Sequence, residues 1–247
     1  MENKKFLIIM PYYNPGECFE EAIESVIQQK YKNWELVLLN DASTDGSEKL
    51  ADRYKNHEKI SFLYNVKNEG CYYSINKALL ANSNGDWDYW NFSGADDSMD
   101  LNRLNKINDF LSSNPNVVGL KTTYIRMWHE TKKIDYENGK PHISTSEGIA
   151  FYSKKIHLHL GYYDNTRFSG DTDYWWRLEN FIKSNPSYNF KLGEHKDPLY
   201  IAYLRGKDEN LTLKYPISGR QQYFQNSSND IQNKMIPNNN FYRDIFK

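Results

Sequence analysis

The hydrophobic positions of this chain form short continuous runs that alternate with segments of helical spacing. Short continuous apolar runs predict buried strands, here at 7–10, 34–39, 60–64 and 117–127, with a further run ending at residue 93. Apolar residues spaced three or four positions apart predict helices at 19–27, 46–57, 71–81 and 100–111. This alternation favours βα units, and therefore an α/β fold with a mainly parallel central sheet flanked by helices.

The chain changes character after Arg205, where it becomes polar and rich in asparagine. Its 247 residues are compatible with one α/β unit of ordinary size. We therefore predict a catalytic domain over residues 1–205 and a polar C-terminal extension over 206–247, either packed on the same domain or partly flexible. Within the domain, the polar stretch 128–141 predicts a hairpin.

Three of the predicted strands end in side chains that can do chemistry. The first is followed by Pro11, Tyr12, Tyr13 and Asn14, the second by Asn40 and Asp41, and a third by Asp96 and Asp97. Parallel strands deliver their carboxyl ends to one ligand crevice, and one or two carboxylates commonly hold a cation that bridges phosphates. The acidic pair thus predicts a metal diphosphate site, although Asp is also a favoured cap for the helix that follows.

Charge and hydropathy exclude several other classes of protein. The net charge of −1 provides no positive field for nucleic acid, so we expect no nucleic-acid partner. Because the chain has neither a signal-peptide pattern nor an apolar stretch near 18 residues, we expect a cytoplasmic protein without an integral membrane segment. Cys18 and Cys71 are too few for a disulfide framework, and we expect both to be buried free thiols.

The segments 7–14, 34–46, 90–97 and 168–178 together resemble the motifs of inverting family-two glycosyltransferases of the GT-A fold, in order and in spacing. The resemblance covers residues 5–205. It implies transfer of a sugar from a nucleotide diphosphate sugar, with UDP or dTDP favoured, to a carbohydrate or other hydroxyl acceptor. It also implies a divalent ion, Mn²⁺ or Mg²⁺, which suits oxygen ligands and phosphate.

A nucleobase needs a flat aromatic partner and a directed acceptor for its polar edge. Tyr13 or Tyr12 could stack on the base, and Asp41 could accept the imide N–H, which is the role that the resemblance implies for it. The alternative for Asp41 is an Asx-turn residue that closes the loop. Asn40 replaces the acid usual at its position. The resemblance also implies donor contacts for Pro11, Asn14, Asn68, Gly70, Asn76, Ala95 and Asp96.

The family's Asp-x-Asp-Asp motif corresponds here to Gly94–Asp97, so the first carboxylate is missing. By resemblance, Asp97 is the metal ligand and Asp96 contacts the ribose or supports the metal, although these two roles could be reversed. Three histidines are possible further metal ligands. We expect His157 and His159 to be surface residues, and His195 is the weaker candidate for the metal.

The segment from Gly170 to Leu178 resembles the helix opening whose Asp serves as catalytic base, which here is Asp171. Inverting transfer needs a carboxylate that takes the proton of the acceptor hydroxyl. The alternative is that Asp171 caps the helix. Asp173 and Arg177 have the spacing of a helical ion pair. We expect Trp175 and Trp176 to lie in the core, the alternative being that one of them lines a sugar platform.

Two other functions remain open at this level. A sugar nucleotidyltransferase would use a similar fold, but the chain has no Gly-rich loop with a basic residue after the first strand. A catalytically weak nucleotide-sugar-binding module is conceivable because Asn40 and Gly94 replace acids. The segment 199–205 resembles the family's late Tyr-x-x-Arg strand, yet the histidine that often follows is absent, which leaves a diphosphate role for Arg205 open.

Overall fold

The computed structural model describes residues 3–164 and 169–205. The strands are β1 Phe6–Tyr12, β2 Trp34–Asn40, β3 Ile60–Tyr64, β4 Tyr89–Phe92, β5 Ser98–Met99, β6 Val117–Trp128, β7 Tyr136–Glu137, β8 Lys140–Pro141, β9 Ile143–Ser153 and β10 Lys191–Leu204. The α-helices are α1 Phe19–Ile27, α2 Ser47–Ala51, α3 Cys71–Ala81, α4 Arg103–Ser113, α5 Lys154–Leu160 and α6 Gly170–Ser184. The predicted extension 206–247 lies outside the described residues.

Eight strands form one sheet in the order β3-β2-β1-β4-β9-β6-β10-β5. The half built from β3, β2, β1 and β4 is parallel throughout. Beyond it, β9 runs antiparallel to both β4 and β6, and β5 runs antiparallel to β10. The α/β class is confirmed, and the sheet is mixed, with a parallel half that carries the predicted strand ends.

Strand β1 is buried on both faces, which explains its continuous apolar sequence. Phe6, Ile8 and Met10 point into a core that contains α1 and α4, whereas Leu7 and Ile9 point into a second core with α3 and α6. The sheet is therefore covered by helices on both faces. Its loops, rather than its faces, are left to form a site.

Several boundaries differ from the sequence prediction. Helix α2 ends at Ala51 and continues as a 3₁₀ turn, Asp52–Tyr54, and α4 begins at Arg103 rather than at residue 100. The hairpin predicted within 128–141 is confirmed by the pairing of β7 with β8. Strand β9 and helix α5 were not predicted. The first half of β9 is exposed and polar, so it has no apolar run or alternation that would mark a strand.

Candidate active site

Strands β1, β2 and β4 are parallel neighbours, so the loops that follow them leave the sheet at the same edge. Tyr12, the last residue of β1, lies opposite Asn40, the last residue of β2. On its other side β1 pairs with β4, which ends at Phe92 just before the acidic pair. The three polar segments predicted from the sequence therefore leave the sheet at the same edge.

The loop after β1 is held by the loop after β2. The backbone N–H of Asn14 donates to Ser43 Oγ at 3.1 Å, and its side-chain oxygen accepts from the Thr44 N–H at 2.7 Å. Asn14 also adopts φ 49°, a conformation that asparagine tolerates better than most residues. The Asn14 amide is thus a structural link between two loops.

The two tyrosines of this loop have different surroundings. The ring of Tyr12 is buried against Phe19, with 4.5 Å between ring centroids, whereas Tyr13 is 50% exposed. Pro11 precedes them within buried β1. Of the two rings considered for stacking on a base, Tyr13 is the one available at the surface.

Asp41 is almost fully buried, and its carboxylate organises the start of α3. Its Oδ1 accepts hydrogen bonds from Asn65 Nδ2 at 2.8 Å and from the Glu69 N–H at 2.9 Å. Its Oδ2 accepts one from the Gly70 N–H, also at 2.9 Å. A carboxylate has about four lone-pair directions, so a contact to a nucleobase would use the remaining one on Oδ2.

Asn40 supplies the turn chemistry that was considered for Asp41. Its side-chain oxygen accepts the Ser43 N–H at 2.7 Å, which closes an Asx-type turn through Ala42 at φ 63°. Because Asn40 is also buried, its amide has a structural role in place of the acid usual at this position.

The segment before α3 contains two more of the predicted donor residues. Gly70 has φ 96°, which favours glycine, and Asn68 lies half-buried two positions before it. Asn76, inside α3, is fully buried, and its side chain binds both the N–H and the C=O of Tyr163 at 2.9 Å. A donor contact by Asn76 would require that pair of hydrogen bonds to open.

The acidic pair follows β4 and is held mainly by the end of β10. Asp97 accepts hydrogen bonds from the Tyr200 hydroxyl and from the Tyr203 N–H, both at 3.0 Å. Asp96 forms an ion pair with Arg205 at 2.7 Å. Burial, and then the charge of Asp96, raise the pKa of the Asp97 carboxyl to about 8. A buried negative charge on Asp97 next to Asp96 is therefore unfavourable unless a cation compensates it.

Gly94 leaves the space that this arrangement needs. A Cβ at this position would lie 2.6 Å from Asp97 Oδ2 and 3.1 Å from Asp96 Oδ1. Its N–H donates to the Tyr200 hydroxyl at 2.8 Å, and Ala95 next to it is buried. Crowded carboxylates that keep unused lone pairs fit a hard divalent cation, which would relieve their repulsion.

Elsewhere in the described parts of the chain, no group of three or more His, Cys, Asp or Glu side chains could hold an ion on its own. His195 lies on β10, with its ring 6.0 Å from that of Phe110. An ion beside Asp97 and Asp96 would therefore complete its coordination with oxygens of a bound diphosphate or with water.

Asp171 lies in the first turn of α6, but it is not the cap of that helix. The N-cap is Ser169, which makes no side-chain cap hydrogen bond. Asp171 Oδ1 instead accepts a hydrogen bond from the Tyr72 hydroxyl at 2.9 Å. Burial raises the pKa of the Asp171 carboxyl, opposed by hydrogen bonds from Tyr72 and the Thr172 N–H. A carboxylate of raised pKa that meets solvent suits proton transfer.

Cys71 connects these groups in space. The prediction that both cysteines are buried holds for Cys18 and is wrong for Cys71, which is exposed. Cys71 therefore reaches solvent at the start of α3, between Gly70, which binds Asp41, and Tyr72, which binds Asp171.

Other predictions around α6 have mixed outcomes. The ion pair between Asp173 and Arg177 is confirmed, at 3.0 Å and with both side chains buried. Trp175 lies in the core as expected, whereas the prediction for Trp176 is wrong because it is 40% exposed. His157 is buried, contrary to its predicted surface position, because α5 packs it beside Trp87 and Tyr162.

Tyr72, Tyr200 and Tyr203 were not singled out from the sequence. Tyr72 holds Asp171, and the other two hold Asp97. Tyr200 and Tyr203 lie in the segment that resembles the Tyr-x-x-Arg strand, but nothing there indicates a contact with Asp97, and no local pattern distinguishes Tyr72 among the 20 tyrosines of the chain. Their contacts join residues about 100 positions apart and become visible only in the fold.

None of the helices in 3–164 and 169–205 has both the length and the apolar character needed to cross a bilayer.

Solved structures share this architecture. Residues 1–349 of TarS from S. aureus superpose with a TM-score of 0.61 at 15% identity, covering 94% of this chain and 81% of that one. The mannosyltransferase PcManGT from Pyrobaculum calidifontis, solved with GDP-Man and Mn²⁺, gives 0.62 at 16% identity, covering 84% and 59%. At such identities the likeness concerns the fold alone, which is the GT-A fold of glycosyltransferases.

Comparison with known sequences identifies the family. EpsE and TuaG of Bacillus subtilis (strain 168), which bear provisional glycosyltransferase names, are 38% and 31% identical over 109 and 105 residues. These alignments cover 43% and 42% of this chain but only 38% and 40% of the relatives' own lengths. Residues 7–170 match the family model described as glycosyl transferase family 2. The chain belongs to glycosyltransferase family 2.

Proposed function

We propose that this chain is a metal-dependent inverting glycosyltransferase that moves one sugar from a nucleotide diphosphate sugar, UDP or dTDP, to a hydroxyl acceptor in glycan or polysaccharide synthesis. The observation that carries the proposal is the juxtaposition at the start of α3. Asp41 accepts the Gly70 N–H and Asp171 accepts the Tyr72 hydroxyl, so the proposed base-binding and catalytic carboxylates lie on either side of Cys71. The acidic pair Asp96 and Asp97 follows β4, at the same sheet edge where the Asp41 loop leaves β2.

The comparisons support this reading through what the related proteins bind. TarS has been crystallised with UDP and with UDP-GlcNAc, and PcManGT with GDP-Man and Mn²⁺. The name of TuaG refers to teichuronic acid biosynthesis. For the present chain, these names favour a nucleotide sugar as donor and a glycan polymer as the product class.

The reacting groups follow from the geometry. Asp171 takes the proton of the acceptor hydroxyl while that oxygen forms a bond to the anomeric carbon, and the bond from this carbon to the diphosphate breaks. Attack on the face opposite the leaving diphosphate inverts the configuration. The raised pKa of Asp171 makes it a stronger base than an ordinary exposed carboxylate, provided that the pH is high enough to ionise it.

Asp41 and Tyr13 would bind the base of the donor, and Asp96 would contact its ribose. Asp97, supported by Asp96, would hold Mn²⁺ or Mg²⁺, and the ion would neutralise charge on the departing diphosphate when bound. Tyr200 and the Tyr203 N–H orient Asp97 for that purpose. Direct donor contacts are further proposed for Pro11, Asn14, Asn68, Gly70, Asn76 and Ala95.

Replacement of Asp171 by Asn tests the central step. We expect transfer to fall by ~10² to 10⁴-fold, because a general base contributes about that much in rate. Donor affinity, measured by calorimetry, should change little. Asp173→Asn would break the buried pair with Arg177 and serves as a control for damage to α6. Full transfer activity in Asp171→Asn would refute the assigned base.

A separate observation favours a second candidate function. Asn40 and Gly94 replace two acids of the family pattern, which would suit a nucleotide-sugar-binding module with little catalysis. A thermal-shift screen of UDP-, dTDP- and GDP-sugars with Mn²⁺ identifies the donor, because a ligand of the native state raises its stability. Hydrolysis of that donor by the wild type, and its loss in Asp171→Asn, would separate the enzyme from the module.

A further inference from the structure

The Tyr72 hydroxyl is aimed at the carboxylate that we propose as the base. It donates to Asp171 Oδ1 at 2.9 Å, a contact between residues 99 positions apart. Burial, and then the charge of Asp171, raise the pKa of Tyr72 well above its ordinary value. The phenol is therefore protonated at physiological pH and acts as a donor to Asp171.

The ring of Tyr72 is held in place on both sides. A Cβ at Gly170 would lie 2.9 Å from two atoms of this ring, so the first residue of α6 can pack there only as glycine. On another side the ring meets Tyr163, with 5.0 Å between centroids. The Tyr72 hydroxyl therefore has little freedom to move away from Asp171.

The backbone before Tyr72 is anchored as well. Asp41 binds the N–H groups of Glu69 and Gly70, which lead directly into the first turn of α3. The residue proposed to recognise the base of the donor thus holds the turn that carries Tyr72. Donor recognition and the base are connected through one short segment.

The two oxygens of Asp171 are not equivalent. Oδ1 receives the Tyr72 hydroxyl, while Oδ2 faces Gly148, where a Cβ would be 3.0 Å away. A side chain at position 148 would crowd Oδ2, so glycine is required beside this oxygen. The geometry thus distinguishes the oxygen held by the Tyr72 hydroxyl from the oxygen that borders Gly148.

We propose that Tyr72 is the positioning residue of the catalytic base: its hydroxyl fixes Oδ1 of Asp171 and leaves Oδ2 to take the proton of the acceptor. The proposal rests on the assignment of Asp171 as base in the proposed function. Tyr72 does not itself touch the reacting atoms in this scheme, and it acts only through Asp171.

The other groups facing Asp171 set the expected direction of the pH effect. Glu147 on β9 raises the pKa of Asp171 through its charge, and Lys121 on β6 partly neutralises Glu147 in an ion pair. The phenols of Tyr152 and Tyr163 and the thiol of Cys71 also interact with the Asp171 charge. Against these groups, Tyr72 and the Thr172 N–H favour the ionised carboxylate.

Tyr72→Phe removes the hydroxyl while keeping the ring on Gly170. Loss of a hydrogen bond to the charged form raises the pKa of Asp171 further. Activity requires the ionised base, so the acidic limb of the kcat profile should move to higher pH by about one unit. At a pH below both midpoints of the acidic limb, kcat should fall roughly 10-fold, with the KM for the donor almost unchanged. Tyr188→Phe, which removes a half-exposed hydroxyl after α6, is the matched control.

A readout independent of activity is the titration of Asp171 followed by ¹³C NMR of the labelled carboxyl. In Tyr72→Phe this titration should move in the same direction as the kinetic limb. An unchanged carboxyl titration and an unchanged kinetic profile would overturn the role of Tyr72, even if Asp171→Asn is inactive. Full activity of Asp171→Asn would instead refute the proposed function, whatever Tyr72→Phe does.

A second variant covers the case in which Tyr72→Phe does not fold. Replacing Tyr72 by 3-fluorotyrosine retains the ring and makes the hydroxyl a stronger donor. The acidic limb should then move to lower pH, because the ionised carboxylate is held more tightly. A shift to higher pH, or no shift, would contradict the proposal.

Discussion

The Arg205 guanidinium joins Asp96 to the loop that follows β1. One of its nitrogens lies 2.7 Å from Asp96 Oδ2, and another donates to the Pro15 carbonyl at 2.9 Å. A planar guanidinium can satisfy two acceptors at once in this way. The residue that follows β10 therefore fixes Asp96 relative to the loop that carries Tyr13. This structural role of Arg205 is additional to the diphosphate role that the resemblance left open.

Arg205→Lys should loosen this connection, because an ammonium on a flexible stem cannot reproduce the fork of two hydrogen bonds. We expect nucleotide affinity measured by calorimetry to weaken about 5- to 10-fold, a modest effect since the ion pair is partly exposed and screened. Arg53→Lys is the matched control, because Arg53 pairs with Glu20 at an exposed site. Equal affinities in wild type and Arg205→Lys would contradict this role.

Asp97→Ala should abolish the dependence of diphosphate binding on Mn²⁺, because the ion would join this carboxylate to the phosphate oxygens. Turnover should then drop by orders of magnitude even at saturating donor. Asp96→Ala should be milder toward the metal and harsher toward ribose recognition. Calorimetry of UDP binding, with and without Mn²⁺, measures both effects.

The exposed Asp109 on α4 provides the control for removing a carboxylate from this chain, and Asp109→Ala should keep the wild-type response to Mn²⁺. If the Asp96 and Asp97 variants exchange their phenotypes, the metal ligand is Asp96. A wild type that stays fully active in chelator would remove the metal from the proposed function altogether.

Asp41→Ala should affect both stability and binding. The buried Asn65 amide loses an acceptor, which costs about 1 to 3 kcal/mol, and the part-buried N–H groups of Glu69 and Gly70 lose theirs but can bind water. We therefore expect the free energy of unfolding to fall by about 2 to 4 kcal/mol. Affinity for UDP and dTDP should weaken by ~1 to 3 kcal/mol, for the same reason applied to the imide N–H. Calorimetry well below the unfolding temperature separates the two effects, and unchanged nucleotide affinity would exclude the base contact.

The sequence was most informative where a local pattern of residues had a single structural cause. Strand β1 is a continuous apolar run because helices cover both of its faces, and the polar residues after β1, β2 and β4 leave the sheet at one edge because those strands are parallel. These elements and the clustering of the acidic groups were predictable from local pattern.

What the sequence did not reveal depends on contacts between distant segments. Strand β9 carries polar residues such as Ser144 and Glu147 along its exposed half, so it was missed, and with it the antiparallel middle of the sheet. The tyrosines that hold Asp97 and Asp171 act through single hydroxyls from remote segments. Burial of His157 likewise follows from how α5 packs rather than from any local spacing.

His157 makes stability depend on pH. Burial lowers the pKa of its imidazole to about 4, from an ordinary 6.5, so the folded protein keeps it neutral where the unfolded chain takes up a proton. Its contribution to stability is therefore complete above pH 6.5 and is lost progressively as the pH falls toward 4. His157→Gln should remove this dependence, and the stability difference between wild type and variant should shrink by up to about 1.4 kcal/mol per pH unit in that window. Urea unfolding at pH 7, 6 and 5 measures this stability difference. His159→Gln, on the exposed side of α5, is the matched control substitution. A stability difference between wild type and His157→Gln that stays constant with pH would show that burial does not hold His157 neutral.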